Sequence, residues 1–210
     1  VVWWMRQKIL DLGLRTWFQP SVSIRAPGQQ DSRSEGARKL ILLGDLLHCD
    51  FGIQYLGLAT DTQQNAYVLK LGEEDAPEGL KAALGTANRL QDIVVGEFVA
   101  GRTGNQILAA SLEKSRAEGI KGAVYNHPIG YHGHGAGPTI GLWDKQDGVP
   151  GRGDYELFDD TCHAIELNIR QEVQEWGGQE VRMALEEDVV FTGGKVHWLA
   201  GRQTKLHLIG

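Results

Sequence analysis

The sequence is short of several residue types, and each shortage removes a class of protein. Only two cysteines, Cys49 and Cys162, stand in 210 residues, both inside apolar runs. They read as buried thiols, because a chain this long can bury a core without disulfide staples. Only 6 prolines, with 41% hydrophobic and 23% charged residues, exclude a disordered or low-complexity chain. No apolar run approaches the roughly 18 residues of a membrane span, so none is expected. Positive charge is scarce too: 21 Lys and Arg against 27 Asp and Glu leave a net charge of -6 and no basic run. Nucleic acid has no electrostatic footprint here. The opening VVWWMRQKILDLGL lacks a basic leading stretch and a small-residue cleavage site, so it reads as an amphipathic helix, not a signal peptide. The chain begins with Val, so its terminus does not report a compartment; cytoplasmic is the default expectation.

At roughly 150 residues per domain, one domain over residues 1–210 is expected. Helical spacing runs over residues 3 to 18 until Gly13 and Pro20 interrupt it. Ser21 to Ile24 alternates as a short strand, and Ala26 to Gly36 is a polar loop. Strands are predicted at Leu46 to Phe51, Ile53 to Leu58 and Ala66 to Leu69, with Gly52 and Gly57 as bend or bulge positions. Pro77 is placed at a first helical position, and Leu80, Ala83, Leu84, Ala87, Leu90 and Val94 recur every three or four residues. A second helix opens at Thr103 with Gln106 completing a capping box, buries Ile107, Leu108, Ser111 and Leu112, and ends at Gly119. Two further strands are predicted, Cys162 to Ile169 and Val181 to Thr192. The order predicts an antiparallel sheet with helices packed against it, an α+β class.

Three of the 7 histidines, His127, His132 and His134, crowd into one glycine-rich segment, NHPIGYHGHG. Asp50, Asp61, Glu166 and Glu186 stand in apolar strand-like surroundings, where a carboxylate is costly unless it is paired or holds a metal. Singly each is unremarkable, since an Asp such as Asp50 often caps a turn. Together they form the donor set of a two-metal hydrolytic centre, in which carboxylates bridge cations about 3.5–4 Å apart and acidify a shared water. Mn, Co, Zn or Fe would suit a mixed Asp/His/Glu set, and a purely structural zinc site would favour cysteine.

The ordered motifs resemble those of the pita-bread metallopeptidases, the superfamily (M24) of methionine aminopeptidases, Xaa-Pro aminopeptidases and prolidases. Gly44-Asp45-Leu46-Leu47-His48-Cys49-Asp50-Phe51-Gly52 resembles the family's first ligand motif, and Asp61 follows Asp50 by eleven residues, as its second aspartate does. His134 follows His127 by seven, matching the ligand and substrate-contacting histidines. Glu166 and Glu186 match the last two ligands, glutamates in strands, with Glu186-Glu187-Asp188-Val189-Val190-Phe191-Thr192 resembling the closing run. Gly101 to Ile107 resembles the family's helix opening.

The resemblance implies the pita-bread fold: a pseudo-twofold α+β domain whose curved antiparallel sheet has helices packed outside it. It implies two divalent metal ions held by Asp50, Asp61, His127, Glu166 and Glu186, with Asp61 and Glu186 bridging. Glu166 would also move the proton of the attacking water, and His134 would donate to the substrate. The implied activity is exopeptidase removal of N-terminal residues from peptides, nearer the Xaa-Pro branch. A non-peptidase hydrolase and a non-catalytic binding domain on the same fold are the alternatives. The chain reads as a lone catalytic domain or as the catalytic part of a longer protein, with a homodimer partner or an N-terminal domain as what would cover its apolar start.

Departures fall beside the ligands. Gln63-Gln64-Asn65 stand where an Arg-Thr pair is common, and no histidine occurs around Gln29, Gln30 and Asp31, where an upstream one is usual. Gly135 and Ala136 follow His134 in place of an acid and a proline, and Leu167 follows Glu166 in place of proline. Among the 6 tryptophans, Trp3, Trp4 and Trp17 are assigned to core or domain-contact packing, with at most one of the adjacent pair facing the core. Trp143 and His132 are candidate substrate-pocket residues, His132 standing behind the ligands. Strand alternation turns Cys49 away from the face that carries Asp50.

Overall fold

The computed structural model describes residues 1–29 and 40–210. Gln30, Asp31 and most of the expected polar loop to Gly36 lie outside the described residues. The chain opens with helix α1 (Val2–Asp11), which stops seven residues short of the expected end. The reason is local. Gly13 takes φ 70°, its N–H bonds to the Leu10 carbonyl at 2.9 Å, and the Leu14 N–H reaches Ile9 at 3.0 Å. That left-handed closure satisfies the last carbonyls and turns the chain away. Ile9 is the only buried residue of α1. Trp3 and Trp4 are 77% and 63% exposed, so neither packs in the core, where one of the two was expected to face. Each instead lies under a neighbouring cation, Arg6 at 4.6 Å and Lys8 at 5.8 Å.

Strands β1 (Arg15–Thr16), β2 (Ser21–Arg25), β3 (Leu46–Phe51), β4 (Ile53–Tyr55), β5 (Leu58–Ala59) and β6 (Thr62–Val68) follow. The single strand expected over Ile53 to Leu58 is a hairpin. Leu56 (φ 50°) and Gly57 (φ 81°) are both left-handed, the signature of a two-residue turn matched to strand twist. Gly52 stands between β3 and β4, where only glycine fits: a Cβ there would meet the Thr60 carbonyl at 2.2 Å and the Trp17 indole nitrogen at 2.3 Å.

Helix α2 (Glu78–Val95) buries all six of its periodic apolar residues, with Pro77 as the N-cap residue rather than the first helical one. Helix α3 (Gly104–Ala117) starts at the expected capping box between Thr103 and Gln106 and closes through left-handed Gly119. Both helices lie on one face of the sheet formed by β7 (Gly122–Val124), β10 (Leu167–Val173) and β11 (Gln179–Leu185), and the core lies between them.

A second sheet runs β13-β12-β9-β8, from β8 (His127–Pro128), β9 (Thr161–Ala164), β12 (Asp188–Thr192) and β13 (Lys195–Trp198). A third runs β14-β6-β3-β2, its edge strand β14 (His207–Ile209) lying parallel to β6, and β1, β4 and β5 form a small fourth. The strands expected over Cys162 to Ile169 and Val181 to Thr192 are each two strands. They break at Ile165-Glu166 and Glu186-Glu187, where the chain leaves one sheet and enters the next. Backbone groups at the breaks pair with other segments: Tyr125 N–H with the Glu166 carbonyl, Gln63 N–H with the Glu186 carbonyl, and Ile165 N–H with the Glu187 carbonyl, all at 2.9 Å. Glu166 and Glu186 therefore stand at sheet crossings, not within strands. Among the described residues no helix is long and apolar enough to cross a membrane.

Candidate metal centre

The crossings deliver acidic side chains to one place. Asp50 comes from β3, Asp61 from the residue before β6, His127 from β8, and the two glutamates from the strand breaks. Donor atoms of Asp61, His127 and Glu186, all buried, lie within 4.8 Å of one another. His127 Nε2 is 3.6 Å from Asp61 Oδ2 and 3.5 Å from Glu186 Oε1. Glu166 joins them through Gln63, whose side-chain N–H groups donate to Glu166 Oε1 at 2.8 Å and Glu186 Oε2 at 2.9 Å. Asp50 is near enough for its charge to raise the pKa values of Asp61, Glu166 and Glu186.

The acidic groups of the cluster are buried close to one another. Burial, then mutual repulsion, holds the Asp61 and Glu186 carboxyls above the usual range, and burial is also the main cause for Glu166. Asp50 is pushed up to about 6 by burial, with Arg182 opposing. Burial and the neighbouring His134 lower His127 to about 4, so its ring is neutral near pH 7. The His127 Nδ1 lies 3.2 Å from the Pro128 carbonyl, which requires the proton on Nδ1 and leaves a lone pair on Nε2. Asp50 Oδ1, Asp61 Oδ1, His127 Nε2 and Glu186 Oε1 are all buried without a hydrogen-bond partner. Unpartnered donor atoms of this type, converging on one another, fit a divalent cation.

Around the carboxylates is an aromatic wall. The His134 ring stands edge-on to His127, centroids 4.5 Å apart, and is partly exposed. Trp17 packs edge-on against His134 at 5.3 Å and donates its indole N–H to the Thr60 carbonyl at 2.7 Å. Trp17 thus packs beside the cluster and not in the core, one of the two packing roles expected of it. Tyr125 lies 5.6 Å from His127 and 5.5 Å from Trp143, and the Arg182 guanidinium covers Trp143 at 5.3 Å. His132 is exposed, its ring against exposed Tyr131 at 4.9 Å, and no described contact joins it to the carboxylates. Cys49 faces away from the site, its sulfur 3.9 Å from that of Met5.

Sequence reasoning missed Gln63, Trp17, Tyr125 and Asp188. Asp188 Oδ2 accepts the Asp61 backbone N–H at 3.1 Å. Two signals were present: Tyr125 is two residues from His127 and shares its face by alternation, and Gln63 is two from Asp61.

Residues 4–193 match the family model of metallopeptidase family M24, and the chain belongs to that family. Its fold is the pita-bread fold, and solved structures carry the likeness. A dipeptidase from Pyrococcus horikoshii OT3 superposes with a TM-score of 0.70 at 21% identity, covering 99% of this chain and 53% of that one. An X-Pro aminopeptidase from Thermotoga maritima MSB8 gives 0.66 at 21% identity, covering 92% and 50%. A methionine aminopeptidase from Thermotoga maritima gives 0.63 at 17% identity, covering 94% and 83%. The chain spans about half the length of the first two. No curated protein matches it in sequence.

Proposed function

We propose that residues 1–210 act as one metallopeptidase catalytic unit, a dinuclear metal-dependent exopeptidase that removes N-terminal residues from peptides. The observation that carries this reading is the set of buried, unpartnered donor atoms on Asp50, Asp61, His127 and Glu186. His127 and Glu166 would complete the donor set of one cation and Asp50 that of a second, with Asp61 and Glu186 serving both. Bound divalent cations, Mn, Co, Zn or Fe, would polarise the scissile carbonyl and acidify the attacking water.

The chain's own groups do the rest. With the charge of the neighbouring carboxylates neutralised by cations, Glu166 would stand ionised, accept a proton from water and pass it to the leaving amine. His134, held edge-on between Trp17 and His127, donates a hydrogen bond to the oxygen on which charge develops. Tyr125 and Trp143 offer the substrate an apolar wall beside the carboxylates. The segment from His127 to Gly135 and the loop over residues 142–160 resemble the Xaa-Pro branch, and the reading extends to proline as the second residue of the substrate.

The test is a panel of dipeptides and tripeptides with and without proline at the second position, run on Mn-loaded and chelated protein with metal content measured. Metal-dependent release of the first residue is expected. Equal, negligible cleavage in both states with metal bound overturns the peptidase reading in favour of a different hydrolase or a binding role.

A further inference from the structure

Gln63 is buried where the sequence departs from the family pattern, and its side chain is fully committed. One N–H of its amide donates to Glu166 Oε1 at 2.8 Å and the other to Glu186 Oε2 at 2.9 Å. Its amide oxygen lies 2.8 Å from His48 Nε2, so that ring nitrogen must carry a proton and donate. The Gln63 backbone N–H also bonds to the Glu186 carbonyl at 2.9 Å. Four segments meet at this one side chain: β3 through His48, β6 through Gln63, and the two strand breaks through the glutamates.

We propose that the Gln63 amide is the positioning group of the centre, clamping the Glu166 and Glu186 carboxylates and setting which of their oxygens face a cation. The inference rests on the metal-centre reading above. Glu186 shows the effect. With Oε2 turned to Gln63, Oε1 is left without a partner and points towards His127 Nε2 at 3.5 Å. A side-chain amide nitrogen carries two N–H donors and can serve both carboxylates at once; a hydroxyl has one proton and an aliphatic side chain none. The two carboxylates fix the sense of the amide, because the reversed orientation would set the amide oxygen against both, and the amide oxygen then sets the His48 tautomer. Hydrogen-bonded partners behind metal-binding side chains are worth about 10–100-fold in affinity.

The experiment compares wild type with Gln63→Met, which keeps length and removes both donors, and with His48→Leu. Mn2+ is titrated into metal-free protein by calorimetry, and the Mn2+ electron paramagnetic resonance spectrum is recorded. Gln63→Met should bind Mn2+ about 10–100-fold more weakly with an altered spectrum, while its circular dichroism stays that of wild type. His48→Leu should weaken binding less, and should add no further loss in the Gln63→Met background, because the two act through one chain of hydrogen bonds. Wild-type affinity and spectrum in Gln63→Met overturn the clamp alone, and strictly additive losses overturn the His48 link. A wild-type protein that binds no Mn2+ overturns the metal-centre reading and the clamp with it. Should Gln63→Met not fold, His48→Leu carries the comparison: wild-type affinity and spectrum there overturn the clamp.

Discussion

His127 Nε2 faces Glu186 Oε1 across 3.5 Å, and neither atom has a hydrogen-bond partner. A neutral imidazole lone pair set against a carboxylate oxygen in a buried site gains nothing from the contact unless a cation or a proton lies between them. A proton or a cation placed there would stabilise the folded chain.

Asp61, Glu166 and Glu186 have raised pKa values, and Asp188 is raised to about 7, chiefly by burial. The folded chain therefore keeps protons near neutral pH that unfolded carboxylates, with pKa near 4, have released. More protons on the folded state means stability falls as pH rises. His48, His127 and His163, each lowered to about 4 from 6.5, act in the opposite direction, but that effect fades as unfolded histidine loses its last protons above pH 6.5, and the four raised carboxyls outweigh it. From pH 6.5 to 8 the metal-free protein should thus lose Tm. Saturating Mn2+, which competes with those protons, should raise Tm more at pH 8 than at pH 6.5. Thermal melts with and without chelator check this; a metal-free Tm that climbs across the window contradicts it.

Replacing Glu166 with Gln removes the proposed proton acceptor while keeping the Gln63 contact geometrically available. We expect turnover of a cleaved peptide to fall by about 10²–10⁴-fold. Metal content, measured on the same samples, should fall as well, since the side chain is also a proposed ligand. Near-normal turnover would remove Glu166 from the chemistry.

His134→Ala should behave differently. Its ring touches His127, Trp17 and Tyr125 but is not among the three donors gathered within 4.8 Å. Metal binding should be retained and kcat should fall by about 10²–10³-fold, the scale for one lost donor to a developing oxyanion. Loss of metal with intact fold would make His134 a ligand instead.

Gly133→Ala tests the wall that holds His134. A Cβ on Gly133 would lie 2.4 Å from the Trp17 ring, so the indole must move and its hydrogen bond to Thr60 must lengthen. We expect kcat/KM to drop about tenfold or more with Mn2+ affinity unchanged, in keeping with the cost of small misplacements at a reacting centre. Unchanged kinetics would show that Trp17 has no part in placing His134.

Much of this protein is legible in the residue order because the information is local. The apolar stripe from Leu80 to Val94 specifies α2, and Thr103 with Gln106 specifies the start of α3, since each signal lies within one or two helical turns. The five acidic and histidine side chains are also visible, because a carboxylate in apolar surroundings announces a partner. What the order could not show depends on partners far along the chain. Strand periodicity continues smoothly through Ile165-Glu166 and Glu186-Glu187, and the breaks exist because Tyr125, Gln63 and each other's backbones take those hydrogen bonds. Trp17 reads as one more apolar residue until Thr60, 43 positions away, accepts its indole proton. Gln63 reads as a polar substitution until the fold sets two carboxylates, 103 and 123 positions away, against one amide nitrogen. Which residues bring charge is written in the sequence. Where those charges meet, and what holds them apart, is decided by backbone pairing between segments that no local pattern connects.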